Sequence, residues 1–510
     1  MKPKAKSQLS AILDIGSHSI KMYVFELNPS HSEWKIVDSL WLPIQLGTDI
    51  FMRGSIRQET LHNLSHILSR FQQVKESYHI TDIKAFITSS LSEASNSESV
   101  LSRCQSILGI TPNIIHPYQQ NEAIYMAVAA TTKNHREFNN TNLVIFHVGS
   151  SSSRLFIQHK GKLIWSQTYH TGTLRFGQFL PKSTSAYPVF FHPFIKHIST
   201  TIQKLLNNEL FQLILLNDDL IHMLEHTGIK EEKHLYKLSK QQIAEFSLHF
   251  LTLPDEELEV HYGIPETTVP SVRISLAFFV HLLENLQQNF LYLPHTMSTM
   301  GFVYELFQRE REKIFHDILS SAMTIARRYE YDEVHATTVQ MFAREIFKAL
   351  EQTFSFSPLD RIYLEGAAIL HDIGYFIGAT NHHKNTYELV KRSEIFGLSP
   401  DEIMMIALIT RYHRKSSPKK THAEFMALDI HKRITVTGLS AILRIANALD
   451  SSHMQIVSQL KARKQQDNLI LECHIQPYLS YAFEVIETAV QNNKGFFENF
   501  FGLKVVIEKR

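Results

Sequence analysis

The stretch Ala367-Ala368-Ile369-Leu370-His371-Asp372-Ile373-Gly374-Tyr375 constrains this chain most, because an apolar helical run ends there in adjacent His and Asp followed by Gly. A helix turns about 100° per residue, so the two side chains diverge little and can share one ion. His335 opens another amphipathic helix, Ala336 to Leu350, and Asp450 closes a third, Ala441 to Asp450. An unpaired carboxylate on an apolar helix face is costly to bury, so Asp450 calls for a cationic partner. Together His335, His371, Asp372 and Asp450 form a mixed N/O donor set. Such a set suits Mn, Mg, Fe or Zn rather than a soft thiophilic ion.

The chain has 510 residues, enough for about three or four domains. Apolar residues at 44% and charged residues at 20% are ordinary for a globular protein. A net charge of +1 gives no global pull toward nucleic acid. Only two cysteines are present, Cys104 and Cys473, which excludes a disulfide scaffold and fits a reducing compartment. The basic start, Met1 to Lys6, is followed by an apolar run broken at Asp14, too short for a secretory core. The longest apolar stretch, Leu276 to Leu283, contains His281 and falls far short of a membrane span. A cytoplasmic protein with no membrane and no nucleic-acid partner is expected.

The N-terminal part opens with three strand-like segments, Ala11–Ile15, Ile20–Leu27 and Trp34–Leu40. The first turn, Gly16-Ser17-His18-Ser19, permits close backbone approach, and its N–H groups and hydroxyls make an anion cradle beside Asp14. A helix (Ile56–Ser77) and a strand (Ile83–Ile87) follow. The plan then repeats, with a strand from Leu143 to Phe146, the turn His147-Val148-Gly149-Ser150-Ser151-Ser152-Ser153, and a strand from Arg154 to Gln158. From about Glu305 the pattern is helical, and after Asp467 it is mixed again.

These motifs carry two resemblances. Leu13 to Ser19, Thr88 to Asn96, the loop 147–153 and Gly172-Thr173-Leu174-Arg175 resemble the phosphate loops of the exopolyphosphatase/guanosine pentaphosphatase (Ppx/GppA) family. His335, His371-Asp372 and Asp450 resemble the signature of HD metal-phosphohydrolase domains. The resemblance implies an α/β plus all-α protein, with two actin-like (ribonuclease H-like) ATPase-superfamily lobes, a helical HD domain and a small C-terminal α/β segment. The implied boundaries are 8–136, 137–304, 305–466 and 467–510. Asp14, Gly16, Ser17, Ser19, Gly149 and Ser152 would bind phosphate, and a divalent metal (Mn, Mg, Fe or Zn) would sit on His335, His371, Asp372 and Asp450.

The N-terminal motifs depart from the family pattern. His18 replaces an Asn, Ser92 a phosphate-binding Arg, and His147 a metal-binding Asp. Gln119 and Gln120 stand at the positions of catalytic glutamates, and Gln cannot accept a proton. Glu122 is the nearest carboxylate. Asn217-Asp218-Asp219 puts two carboxylates where a third loop would cradle phosphate. The helical part, by contrast, keeps its chemistry and adds Asn381-His382-His383-Lys384 and Arg411-Tyr412-His413-Arg414-Lys415. Asp372, Lys384, Arg411 and Arg414 are the expected catalytic residues, while His382, His383 and His413 serve either as ligands or as capping and surface residues.

The leading expectation is a phosphohydrolase acting on phosphoanhydrides, either polyphosphate or guanosine penta- and tetraphosphate-type nucleotides. Hydrolysis would lie in the HD domain, and a homodimer is allowed for. The alternatives are hydrolysis in the N-terminal cleft and a non-catalytic nucleotide or polyphosphate sensor.

Overall fold

The structure is a computed structural model, and it describes residues 8–28, 33–133, 135–181, 186–296, 298–302, 314–414 and 416–510. Two compact units divide the chain, residues 1–310 and 311–510. The expected break at 304/305 and the terminal Met1–Lys6 lie outside the described residues, as does Lys415. Among the described residues no helix is long and apolar enough to cross a membrane.

The first unit contains two sheets built on one plan. In the first, β1 (Gln8–Ile15), β2 (Ser19–Asn28) and β3 (Glu33–Pro43) form an antiparallel meander. The helix Gln58–Ser77 then returns the chain to β4 (Asp82–Thr88), parallel to β1, and β5 (Asn113–Ile115) extends that edge. In the second, β6 (Leu143–Val148), β7 (Ser153–His159) and β8 (Lys162–Tyr169) repeat the meander. The helix Tyr187–Leu206 leads to β9 (Gln212–Leu216), parallel to β6, and β10 (Leu235–Ser239) and β11 (Phe290–Pro294) complete the order β10-β11-β9-β6-β7-β8. Every residue of β6 is buried, as a strand flanked on both sides and covered on both faces requires.

This duplication matches the two actin-like lobes expected from the sequence, with one difference. Met300 and Phe302, placed in the second lobe by the sequence reading, pack with Ile12, Tyr23 and Phe25 of the first sheet and with Ala123 of the helix Pro117–Thr132. The chain therefore crosses back after β11, and apolar burial at Met300 and Phe302 is what draws it there.

The second unit is a helical layer capped by a small sheet. The helices Glu333–Leu350, Pro358–Leu370, Pro400–Arg411 and Ile430–Ala448 bury continuous apolar faces. Strands β12 (Val457–Gln465), β13 (Asn468–Ile475) and β14 (Lys504–Lys509) form one sheet, with the helix Phe483–Phe501 between the last two. Here the reading of this stretch as helical is corrected, because β12 precedes the expected boundary at 466/467. Its exposed Lys461, Arg463 and Lys464 hide the alternation, and only Val457 and Leu460 turn inward. Cys104 and Cys473 are both buried free thiols.

One buried ion pair inside the helical layer gives a direct test. Glu365 is 2% exposed and accepts from Gln340 Nε2 at 2.8 Å and from Arg344 Nε and Nη2 at 2.9 and 2.6 Å. Arg344→Ala leaves that carboxylate with one neutral hydrogen-bond donor and with Arg361 Nε at 3.7 Å, so unfolding free energy should fall by about 1–3 kcal/mol. Urea unfolding read on the helical unit measures it.

Candidate functional site

Two places gather the residues singled out by sequence, one in each unit. In the first unit, the β1–β2 and β6–β7 turns close with the same bond, Gly16 N to Ser19 O at 2.9 Å and Gly149 N to Ser152 O at 3.0 Å. A cleft is lined by Asp14, Gly16, Ser17 and Ser19 from one turn and by Gly149 and Ser152 from the other. Its lysine is taken up in an ion pair and its arginine by neutral amides. Lys21 is buried in an ion pair with Asp218, whose other oxygen accepts from the Ser298 N–H at 3.2 Å. Arg154 donates to Asn121 Oδ1 at 2.7 Å and to Gln120 Oε1. Arg175 is held by Glu93 at 2.7 and 2.9 Å.

Protonation in the cleft follows from burial and these pairs. Asp14 is pushed up by burial, against the pull of Lys21 and a 2.6 Å bond from Thr299 Oγ1. Burial also presses Asp218 upward, but Lys21 outweighs it and holds the carboxylate below its ordinary value. Burial, with Arg154 beside it, drives His147 down to about 3, so this ring is neutral. The Asn217-Asp218-Asp219 segment is a helix start rather than a phosphate loop, since Asn217 Oδ1 caps Leu220 N at 2.9 Å. Gln119 closes a capping box with His116, and Ser92 turns to its own backbone, at Ser89 O.

The second place is drier and richer in imidazoles. His335 stands in the first turn of its helix, where Asp332 Oδ1 caps its N–H at 3.0 Å. His371 follows the last residue of Pro358–Leu370, and Asp372 comes next. Gly374 is obligatory because a Cβ there would lie 2.1 Å from His382 O. That close approach lets Thr386 Oγ1 accept from Gly374 N and donate to His371 O, both at 2.9 Å, which seats the segment carrying His382 against Asp372.

Three histidines use one orienting device. Nδ1 of His371, His382 and His413 donates to the carbonyl three residues earlier, Ala368, Ala379 and Thr410, at 2.8, 3.2 and 2.5 Å. Each Nε2 is thereby turned toward Asp372. The distances to Asp372 Oδ1 are 3.5 Å from His382 and 3.7 Å from His413; those to Oδ2 are 3.4 Å from His371 and 3.7 Å from His335. Four ring nitrogens thus surround one carboxylate whose side chain is 15% exposed. Burial raises Asp372, but the surrounding imidazoles bring it below its ordinary value. Burial lowers His371, and it lowers His413 to about 3.

This donor set fits a divalent cation. Neutral His413 points a buried Nε2 with no hydrogen-bond partner at a carboxylate oxygen, two acceptors facing each other. A cation between them satisfies both.

The other expected residues sit around this ring rather than in it. Asp450 accepts from His335 Nδ1 at 2.8 Å and from Gln455 N at 2.9 Å, so it backs the imidazole in the manner of an orienting carboxylate. His453, not singled out by sequence, stacks on His335 with ring centres 3.7 Å apart and contacts Asp332 at 2.9 Å. Arg414 reaches to 3.5 Å from His382 Nδ1. Arg411 turns onto the Tyr387 ring at 4.9 Å, and Lys384 is exposed. Sequence left His382 and His413 undecided; the signal that places them is their shared spacing to the carbonyl three residues back.

Comparison with known proteins gives a consistent picture. The profile described as the Ppx/GppA phosphatase family matches residues 28–288, and one described as Ppx/GppA phosphatase, domain III, matches residues 319–483. The guanosine-5'-triphosphate,3'-diphosphate pyrophosphatase of Pseudoalteromonas translucida is 21% identical over 428 residues, covering 82% of each chain. Its counterpart in Photobacterium profundum is 20% identical over 432 residues, 80% of this chain and 81% of that one. Among solved structures, an exopolyphosphatase from Cytophaga hutchinsonii superposes with a TM-score of 0.52 at 16% identity, over 59% of this chain and 98% of that one.

Proposed function

Because this chain belongs to the Ppx/GppA phosphatase family, whose pattern spans residues 28–288, we propose that it hydrolyses phosphoanhydrides of polyphosphate or guanosine penta- and tetraphosphate type, with turnover in the helical unit. Its relatives are named for pyrophosphatase and exopolyphosphatase activity, both hydrolytic. The observation that carries the reading is the ring of four imidazole nitrogens around Asp372, whereas in the first unit's cleft Lys21 is already taken up by Asp218 and Arg154 by two side-chain amides.

In this reading His335, His371, Asp372, His382 and His413 hold a divalent cation of the Mn, Mg, Fe or Zn class. When bound, the cation supplies Lewis acidity toward a phosphoryl oxygen. The ionised Asp372 accepts a hydrogen bond from attacking water and orients it. Arg414, beside His382, offers charge-assisted bonds to phosphate oxygens. Asp450 and the carbonyls of Ala368, Ala379 and Thr410 fix the imidazole orientations. Gln120, which lines the cleft, cannot accept a proton as Asp372 can.

A second reading puts hydrolysis in the cleft, favoured by the two matching turns that bring Ser17, Ser19 and Ser152 around Asp14. One experiment separates the two. Phosphate release from polyphosphate and from guanosine tetra- and pentaphosphate is measured at saturating substrate for full-length Asp372→Asn and Asp14→Asn. The helical-unit reading expects Asp372→Asn to lose on the order of 10³-fold in turnover, and Asp14→Asn to change chiefly KM. The opposite pattern places the chemistry in the cleft.

A further inference from the structure

A separate group of donors lies in the first unit, outside both places above. The helix Asp218–Leu224 ends in a connection to β10 that carries Glu225, Glu231 and His234. His295, the residue after β11, comes up beside it, with its N–H donating to His234 O at 2.8 Å. One donor atom each from Glu231, His234 and His295 lie within 4.8 Å of one another. Glu231 Oε1 is 3.1 Å from His234 Nδ1, and Oε2 contacts His295 Nδ1.

The far side of His295 decides how this group is read. Its Nε2 is 3.0 Å from Glu225 Oε1, and Glu225 is in turn 3.3 Å from His222 Nδ1. A ring that donates from Nε2 to a carboxylate presents its Nδ1 lone pair on the opposite side, toward Glu231 and His234. That carboxylate–imidazole relay is how proteins orient a histidine for a cation.

We propose that Glu231, His234 and His295 form a binding site for a divalent transition cation of the zinc class. Two imidazoles and one carboxylate select such ions over Mg or Ca, which prefer all-oxygen shells. Three protein ligands leave a position for water, consistent with side chains 27% exposed at Glu231, 29% at His295 and 80% at His234. The bound ion would pin the connection after Leu224 to the end of β11, at the edge of the sheet formed by β10. The helix pinned in this way begins with Asp218 and Asp219, which line the cleft.

Zinc chloride titration by calorimetry tests it, on chelator-treated full-length protein carrying His371→Ala and Asp372→Ala, so that the helical-unit donors do not contribute. One equivalent should bind, and adding His234→Ala should weaken it at least tenfold. His234 is exposed, so its loss should leave the zinc-free melting temperature unchanged. His62 and His66, a helical pair 3.0 Å apart elsewhere on the surface, provide the control, and His62→Ala should leave the titration unaltered. Zinc raising the melting temperature of the background variant, but not after His234→Ala, gives an independent readout. The proposal is overturned if zinc does not bind the background protein, if His234→Ala titrates identically, or if binding is lost with His62→Ala instead.

Discussion

Replacing His371 and Asp372 together by Ala should lower the metal content of the purified protein by at least one equivalent per chain and cut phosphate release by on the order of 10³-fold or more. Both residues are at the centre of the ring, and the three remaining histidines lose the only carboxylate that all of them face. Binding free energy falls steeply with ligand number, so three imidazoles without their shared carboxylate should hold the ion far more weakly than the full set. His383→Ala is the matched control, since its half-buried ring lies beside the ring of donors without facing Asp372. Elemental analysis of the two variants reads the first effect and a phosphate assay the second. Equal metal in His371→Ala/Asp372→Ala and wild type would rule the assignment out.

Lys21→Met should produce the largest loss of stability in the first unit. Lys21 is the buried cation shared by Asp14 and Asp218, and its removal strands both carboxylates in the cleft. Breaking a buried pair in this way costs about 3–5 kcal/mol, because the surviving charge remains desolvated. The pH dependence contributed by Asp218 should change sign. In the wild type Asp218 is held below its ordinary value, so its stabilisation is present above the unfolded-state pKa and is lost as pH falls through the folded one. Without Lys21, burial raises both carboxylates above their unfolded values, and the stability they contribute is present at low pH and lost as pH rises. The deficit of Lys21→Met should therefore shrink between pH 7 and pH 5, as measured by urea unfolding at each pH. A deficit that grows on acidification would show that the pair is not what holds the cleft.

Much of this architecture could be read from local pattern. The alternation in Ile20–Leu27 and the apolar run into Asp14 suffice for β1 and β2, because hydrophobic period is a local property. His371-Asp372 stood out because polar residues at the end of an apolar helix need a reason. What could not be read depends on distant partners. Asp450 and His335 are 115 residues apart, and which imidazole nitrogen the carboxylate takes is set by how two helices cross. Arg411 looked like a phosphate ligand by its neighbours, yet the Tyr387 ring draws it aside. The strand β12 was hidden because lysines and arginines on its open face resemble a solvated helix, and only its pairing with β13 reveals it.

The shared bond from each Nδ1 to a carbonyl three residues back has a consequence for how the centre assembles. Orientation of His371, His382 and His413 is written into short local turns, not into side chains contributed from elsewhere. Each imidazole is therefore aimed as soon as its own turn forms, and only the meeting of turns is left to tertiary folding. Little rotamer entropy remains to be lost when an ion arrives, so such a centre would bind rapidly and release slowly. The same economy exposes it to fraying: a local turn that opens releases its imidazole with it, and the site would fail before the helical core does.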